Sequence, residues 1–253
     1  MTQLLISVKN VEEALLALAC GADIIDLKDP SVGALGALDM PTSLAIFAAM
    51  KHETSKQISG QNSGLIFSAT VGENHENLDT LIAAIEQRAT MGQVIIKIAV
   101  SVLFNDEIFF VEMRKLSNAG VKIVAVFFAD ERVNLTLLPT LKQAGFYGAM
   151  LDTKNKHKNL LQTKTIEDLA LFTHFCHQHN LKSGLAGSLQ AQHIDTLLAL
   201  NATYMGFRGG VCNNLKRISN LNATKIDEVK KLLHTHNNYS TKMKKIIPLA
   251  LHS

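Results

Sequence analysis

The chain has 253 residues, 47% of them hydrophobic, with a formal charge of +3 and no tryptophan. That length suits two small domains or one large α/β barrel, and the apolar share supplies a sizeable core. The slight positive balance favours small anions as ligands, while dispersed lysines without interleaved aromatics argue against nucleic-acid binding.

The N-terminal Met1–Lys9 is apolar for too few residues to form a signal peptide, and no uncharged run reaches the ~18 residues of a membrane span. Cys20, Cys176 and Cys212 form no C-x-x-C pair, and an odd count argues against a disulfide framework. A soluble cytoplasmic protein with no membrane partner is expected. Leu4–Val8 reads as a strand, and Val11, Ala14, Leu15 and Leu18 recur at helical spacing behind the N-cap candidate Asn10. The branched run Ile24, Ile25, Leu27 is a second buried strand, followed by a helix over Pro41–Lys51 and a polar loop over His52–Ser63.

Strand and helix then alternate without a break. Strands are expected at Leu65–Thr70, Val94–Val100, Val121–Phe128, Tyr147–Leu151, Ser183–Ala186 and Thr203–Phe207. Helices are expected at Leu78–Met91, Glu107–Ala119, Leu135–Ala144, Ile166–His179, Ile194–Leu200 and Ile226–Leu233. Eight strand–helix pairs with short connections make a single (β/α)8 TIM barrel over residues 1–234, with a C-terminal tail over 235–253.

Buried strands rarely carry charge, so the charges inside these strands carry information. In the second strand a period of two sets Asp26 and Lys28 on the face opposite Ile25 and Leu27. Such a group is either a structural ion pair or chemistry. Lys97 sits within Val94–Val100, Asp152 ends the sixth strand and Arg208 ends the eighth. All belong to even-numbered strands, whose side chains share layers inside a barrel. Like-charged lysines facing one another gain a core little, and a site explains them better. Lysine titrates near ~10.4 when free, and burial beside a second cation lowers that value toward a reactive amine. Lys28 is therefore assigned as a nucleophilic amine, Lys97 as the neighbour that perturbs it and moves protons, and Asp26 as an orienting group or acid.

The loops after strands seven and eight read Leu-Ala-Gly187-Ser188 and Arg208-Gly209-Gly210. Small residues there let backbone amides approach an anion, at the usual phosphate position of this fold. Gly187, Ser188, Arg208, Gly209 and Gly210 are expected to bind a phosphorylated small molecule. His174, Cys176, His177 and His179 lie near one helix end without a carboxylate at ligand spacing, so no metal and no cofactor are expected.

With these residues in place, the chain resembles the (5-formylfuran-3-yl)methyl phosphate synthase family of methanofuran biosynthesis. The matching stretches are Gly21–Gly36 (GADIIDLKDPSVGALG), Ser68–Gly72, Ile95–Ile98, Ala149–Thr153, Leu185–Ser188 and Phe207–Gly209. The resemblance implies a lyase that condenses two molecules of glyceraldehyde 3-phosphate to a furan, losing one phosphate and water. It also implies a Schiff base on Lys28, proton transfer by Lys97, and assistance from Asp26, Asp152 and a third lysine best matched by Lys156. Lys154 and Lys158 leave that register open. A homo-oligomer is expected. Asp29 stands where the family pattern has Asn. Two other readings remain open: a sugar-phosphate aldolase or decarboxylase-type barrel, for which Ser31 replaces the second acid of a D-x-K-x-x-D motif, and a non-catalytic phosphate-ligand sensor.

Overall fold

Short apolar strands separated by amphipathic helices have one economical way to bury both faces, which is to close on themselves with the helices outside. The computed structural model, which describes residues 1–56 and 65–246, has that form. Its strands are β1 (Gln3–Val8), β2 (Ile24–Leu27), β3 (Ile66–Thr70), β4 (Val94–Ala99), β5 (Lys122–Phe128), β6 (Gly148–Asp152), β7 (Lys182–Leu185) and β8 (Tyr204–Phe207). They run parallel in chain order, and β8 closes on β1 with Phe207 opposite Ile6. The fold is the expected (β/α)8 barrel.

The helices are α1 (Val11–Ala19), α2 (Met40–Lys56), α3 (Leu78–Ala89), α4 (Glu107–Asn118), α5 (Leu137–Gln143), α6 (Leu160–Thr163), α7 (Ile166–Gln178), α8 (Ile194–Leu198) and α9 (Ala223–Ile246). Asn10 caps α1 by accepting from the Glu13 amide, and Thr165 with Asp168 forms a reciprocal box at α7. Alternation along the strands sorts the core into two clusters. Ile25, Leu27, Ile96 and Ile98 join the helices in the outer one. Leu5, Ile24, Ile95, Val124, Met150 and Tyr204 belong to the smaller inner one.

Beyond shifts of a few residues at element ends, three features depart from expectation. α2 continues to Lys56, into the stretch read as a loop, whose residues 57–63 lie outside the described ones. The short helix α6 follows β6 unannounced, started by an Asn159–Gln162 capping box. α9 passes position 235 without a break and runs to Ile246, while residues 247–253 of the expected tail are outside the described ones. Among the described residues no helix is long and apolar enough to cross a membrane.

Candidate active site

The inward side of β2 meets polar neighbours at the level of Asp26. Register places Ser7 of β1 and Ser68 of β3 on either side of it. Both hydroxyls donate to its carboxylate at 2.7 Å, and Lys97 Nζ of β4 lies 2.5 Å from Oδ1. Asp26 is wholly buried and Lys97 nearly so. Stripping water from two ions costs several kcal/mol each, so a pair at this depth survives only with its remaining lone pairs met, as the two serines meet them here.

Lys28 stands one turn of the alternation further up, just past the end of β2, its amide bonded to the Val8 carbonyl at 3.1 Å. Its Nζ lies 3.4 Å from Oδ2 of Asp152 at the end of β6. The other oxygen of Asp152 accepts from the Thr153 amide and from Lys156 Nζ, both at 2.7 Å. Lys156 also donates to the Thr153 carbonyl. The loop that returns Lys156 to the site is bent by Asp130, whose carboxylate accepts the amides of Lys154 at 2.8 Å and Asn155 at 2.6 Å. Lys154 turns outward to Glu131 at 2.8 Å. Of the three lysines in this run, Lys156 is the one on Asp152.

Burial lowers the proton affinity of Lys97, against Asp26, which raises it, and with Lys28, which lowers it further. Lys156 follows the same logic, lowered first by burial, raised by Asp152 and lowered by Lys28. Burial opposes charge on Asp152, but Lys156 and Lys28 outweigh it and hold its carboxyl well below the usual range. The site thus favours the ionised form of Asp152 while making two of its amines easier to deprotonate.

Above β7 and β8 the backbone carries the polar groups. Gly187 has φ +114, and a Cβ there would fall 2.9 Å from Thr153 Cγ2. At Gly210 it would fall 1.9 Å from the Leu189 carbonyl oxygen, so no larger residue fits. None of the amides of Gly187, Ser188, Gly209 and Gly210 donates to an acceptor among the described residues, and all four residues line the cavity. Unspent amides converging on a cavity are what an anion needs.

The Arg208 side chain departs from expectation. Its Nε donates to the Arg217 carbonyl at 2.7 Å, Nη1 to Ser7 O at 3.1 Å and Glu13 Oε2 at 2.5 Å, and Nη2 to Glu13 Oε1 at 3.1 Å and Ser219 O at 3.0 Å. A guanidinium has no donor beyond these, so the side chain has none left for a phosphate. Its work is to tie β8 and the following loop to α1. The cation offered to the cavity in its place is Arg217, which the sequence reading passed over. Its signal was modest: a second basic position within the loop after β8.

The profile of the 4-HFC-P synthase family matches residues 4–230. The chain belongs to that family. A (5-formylfuran-3-yl)methyl phosphate synthase of Methanocaldococcus jannaschii is 34% identical over 224 residues, covering 83% of this chain and 89% of the relative. A Methylorubrum extorquens protein provisionally named for the same activity is 37% identical over 225 residues, covering 88% of both. Among solved structures, phosphoribosyl anthranilate isomerase from Thermus thermophilus superposes with a TM-score of 0.60 at 13% identity, covering 92% of this chain and 99% of that one. 3-Hexulose-6-phosphate synthase from Salmonella typhimurium gives 0.60 at 14%, with 93% and 100% covered. Those two likenesses speak to the fold.

In this member of the 4-HFC-P synthase family, the barrel mouth encloses a cavity of about 380 Å³ bounded by Lys28, Lys97, Asp152, Lys156 and Arg217 together with the four glycine-loop residues. That volume lies within the ~300–1,000 Å³ typical of small-molecule sites. A primary amine, buried carboxylates and unspent backbone amides are the groups that forming and resolving an iminium on a phosphorylated carbonyl compound calls for. The histidine-rich stretch of α7 faces elsewhere: Cys176 is buried in the outer core and His177 Nε2 lies 3.2 Å from Ser183 Oγ.

Proposed function

We propose that the chain is a (5-formylfuran-3-yl)methyl phosphate synthase, a lyase condensing two molecules of glyceraldehyde 3-phosphate with loss of one phosphate and water. The observation that carries this reading is the Lys28 amine in the cavity, held loosely at 3.4 Å by Asp152 and flanked by two lysines of lowered proton affinity. The names of the relatives support the product.

In this reading Lys28 adds to the aldehyde, and Asp152 with Lys156 passes a proton to the departing hydroxyl of the carbinolamine. The resulting iminium is the electron sink for carbon–carbon bond formation and for the eliminations that follow. Lys97, paired with Asp26 beneath it, takes and returns protons at carbon. The amides of Gly187, Ser188, Gly209 and Gly210 hold a phosphate, which keeps the carbonyl end of the substrate over Lys28. Incubation with glyceraldehyde 3-phosphate should yield a furan-aldehyde ultraviolet chromophore and free phosphate in equal amounts, and borohydride should fix a triose phosphate on Lys28. Binding without either signal would leave only a phosphate-ligand sensor.

A further inference from the structure

The proposed reaction brings together two phosphorylated molecules, and the free amides above β7 and β8 account for one anion. A second cationic feature of the cavity has no role yet. Besides Arg208, which Glu13 neutralises, five cationic side chains border the cavity against two carboxylates, Asp26 and Asp152. Lys97 is spent on Asp26, and Lys28 and Lys156 share Asp152. The surplus falls on exposed Lys158 and half-buried Arg217.

Arg217 is the better built of these. Its carbonyl is gripped by Arg208 Nε at 2.7 Å, and its neighbour Ser219 by Nη2 at 3.0 Å, so the loop that carries it is fixed from below. Among the described residues its guanidinium makes one hydrogen bond, from Nη2 to the Gly33 carbonyl at 2.5 Å, and its other donors are unspent. Gly33 lies in the loop between β2 and α2, a few residues after Lys28. That loop is fastened a second time by Glu73, whose Oε1 accepts the Leu35 amide at 2.5 Å. The fit at Gly33 is close, because a Cβ there would meet the same Glu73 carboxylate at 2.5 Å and the residue has φ +74. Burial pulls the guanidinium pKa down while Asp152 and Glu73 raise it, as befits a cation kept at a partly dry cavity edge.

We infer that Arg217 is a side-chain ligand of a substrate phosphate, beside the free amides of the same cavity, and that through Gly33 it couples that phosphate to the loop following Lys28. A planar guanidinium with one edge on a carbonyl still presents donors for two phosphate oxygens, a geometry that an ammonium group cannot reproduce. The inference rests on the proposed two-phosphate reaction for its purpose, though not for its test.

Glycerol 3-phosphate carries the phosphate but has no carbonyl, so its binding is independent of any Schiff base. Calorimetric titration of the full chain should show its affinity falling about tenfold to a hundredfold in Arg217→Gln, the range for a hydrogen bond to a charged group. Arg217→Lys should recover only part of the loss. Far-ultraviolet circular dichroism of both variants should match that of the native chain, which reports that the barrel is intact. Unaltered glycerol 3-phosphate affinity in Arg217→Gln overturns the inference, as does full recovery by lysine. If the native chain makes no furan while Arg217→Gln still weakens glycerol 3-phosphate, the reaction is wrong and the ligand role stands.

Discussion

The two carboxylates of the site differ in how they are held. Asp26 is wholly buried and takes three short contacts, two serine hydroxyls at 2.7 Å and one ammonium at 2.5 Å. Asp152 is shared between two lysines at unequal distances, 2.7 Å for Lys156 and 3.4 Å for Lys28. Charge-assisted contacts of this kind ordinarily close to ~2.7–2.9 Å. The lower carboxylate therefore makes a fixed platform, whereas the upper one leaves Lys28 loosely tethered. An amine that must leave its counter-ion to attack a carbonyl benefits from being the loosely tethered member.

The largest expected effect tests that division at Lys28. Lys28→Arg keeps a cation near Asp152 but removes the amine proposed to add to a carbonyl, so kcat should fall by on the order of 10⁴-fold or more, with glycerol 3-phosphate still binding. Steady-state furan formation measures the first and calorimetry the second, and near-normal turnover would end the Schiff-base assignment. The next effect is on stability. Asp26→Asn strands Lys97 in the barrel interior with no counter-ion, which should cost about 3–5 kcal/mol in a urea titration.

Asp152→Asn should cost less at neutral pH, about 1–3 kcal/mol, because its lysines border the open cavity and recover water. It should also change the pH dependence. The folded carboxyl titrates below its ordinary value of 3.8, so its contacts stabilise the fold fully above that value and are lost as pH falls through the lower, folded one. The variant should therefore show a flatter acid limb than the native chain when urea midpoints are compared between pH ~6 and ~2. An unchanged acid limb would mean that Asp152 is not held by its two lysines as described.

The same contrast explains what could be read from residues alone. Alternation in β2 and β4 exposed Asp26, Lys28 and Lys97 as inward charges, because a two-residue period needs no partner to be recognised. Lys156 could not be separated from Lys154 and Lys158 in this way. The choice is made by Asp130, more than twenty residues earlier, which captures two amides and sets the loop's bend. Arg208 was misread for a related reason. Its position at the end of β8 was plain, but Glu13 on α1, separated by 195 residues, consumes the guanidinium. Local pattern reports which side of a strand a residue faces, while its partner depends on closure of the barrel. Arg217 lies in a loop with no periodicity at all, so nothing local marked its direction.

The smallest effect separates a platform from a participant. Ser68→Ala removes one of the hydroxyls on Asp26 and leaves Ser7 and Lys97 in place. Loss of a hydrogen bond to a buried charge should lower stability by about 1.5–2 kcal/mol. Activity should change by less than about threefold, since the Lys97–Asp26 pair proposed to move the proton is retained. If Ser68→Ala instead slowed turnover as much as Lys97→Met, the serine would be positioning the proton carrier as well as bracing it. The lower carboxylate would then be as finely poised as the upper, and the division between a fixed base and a loose reactive end would no longer hold.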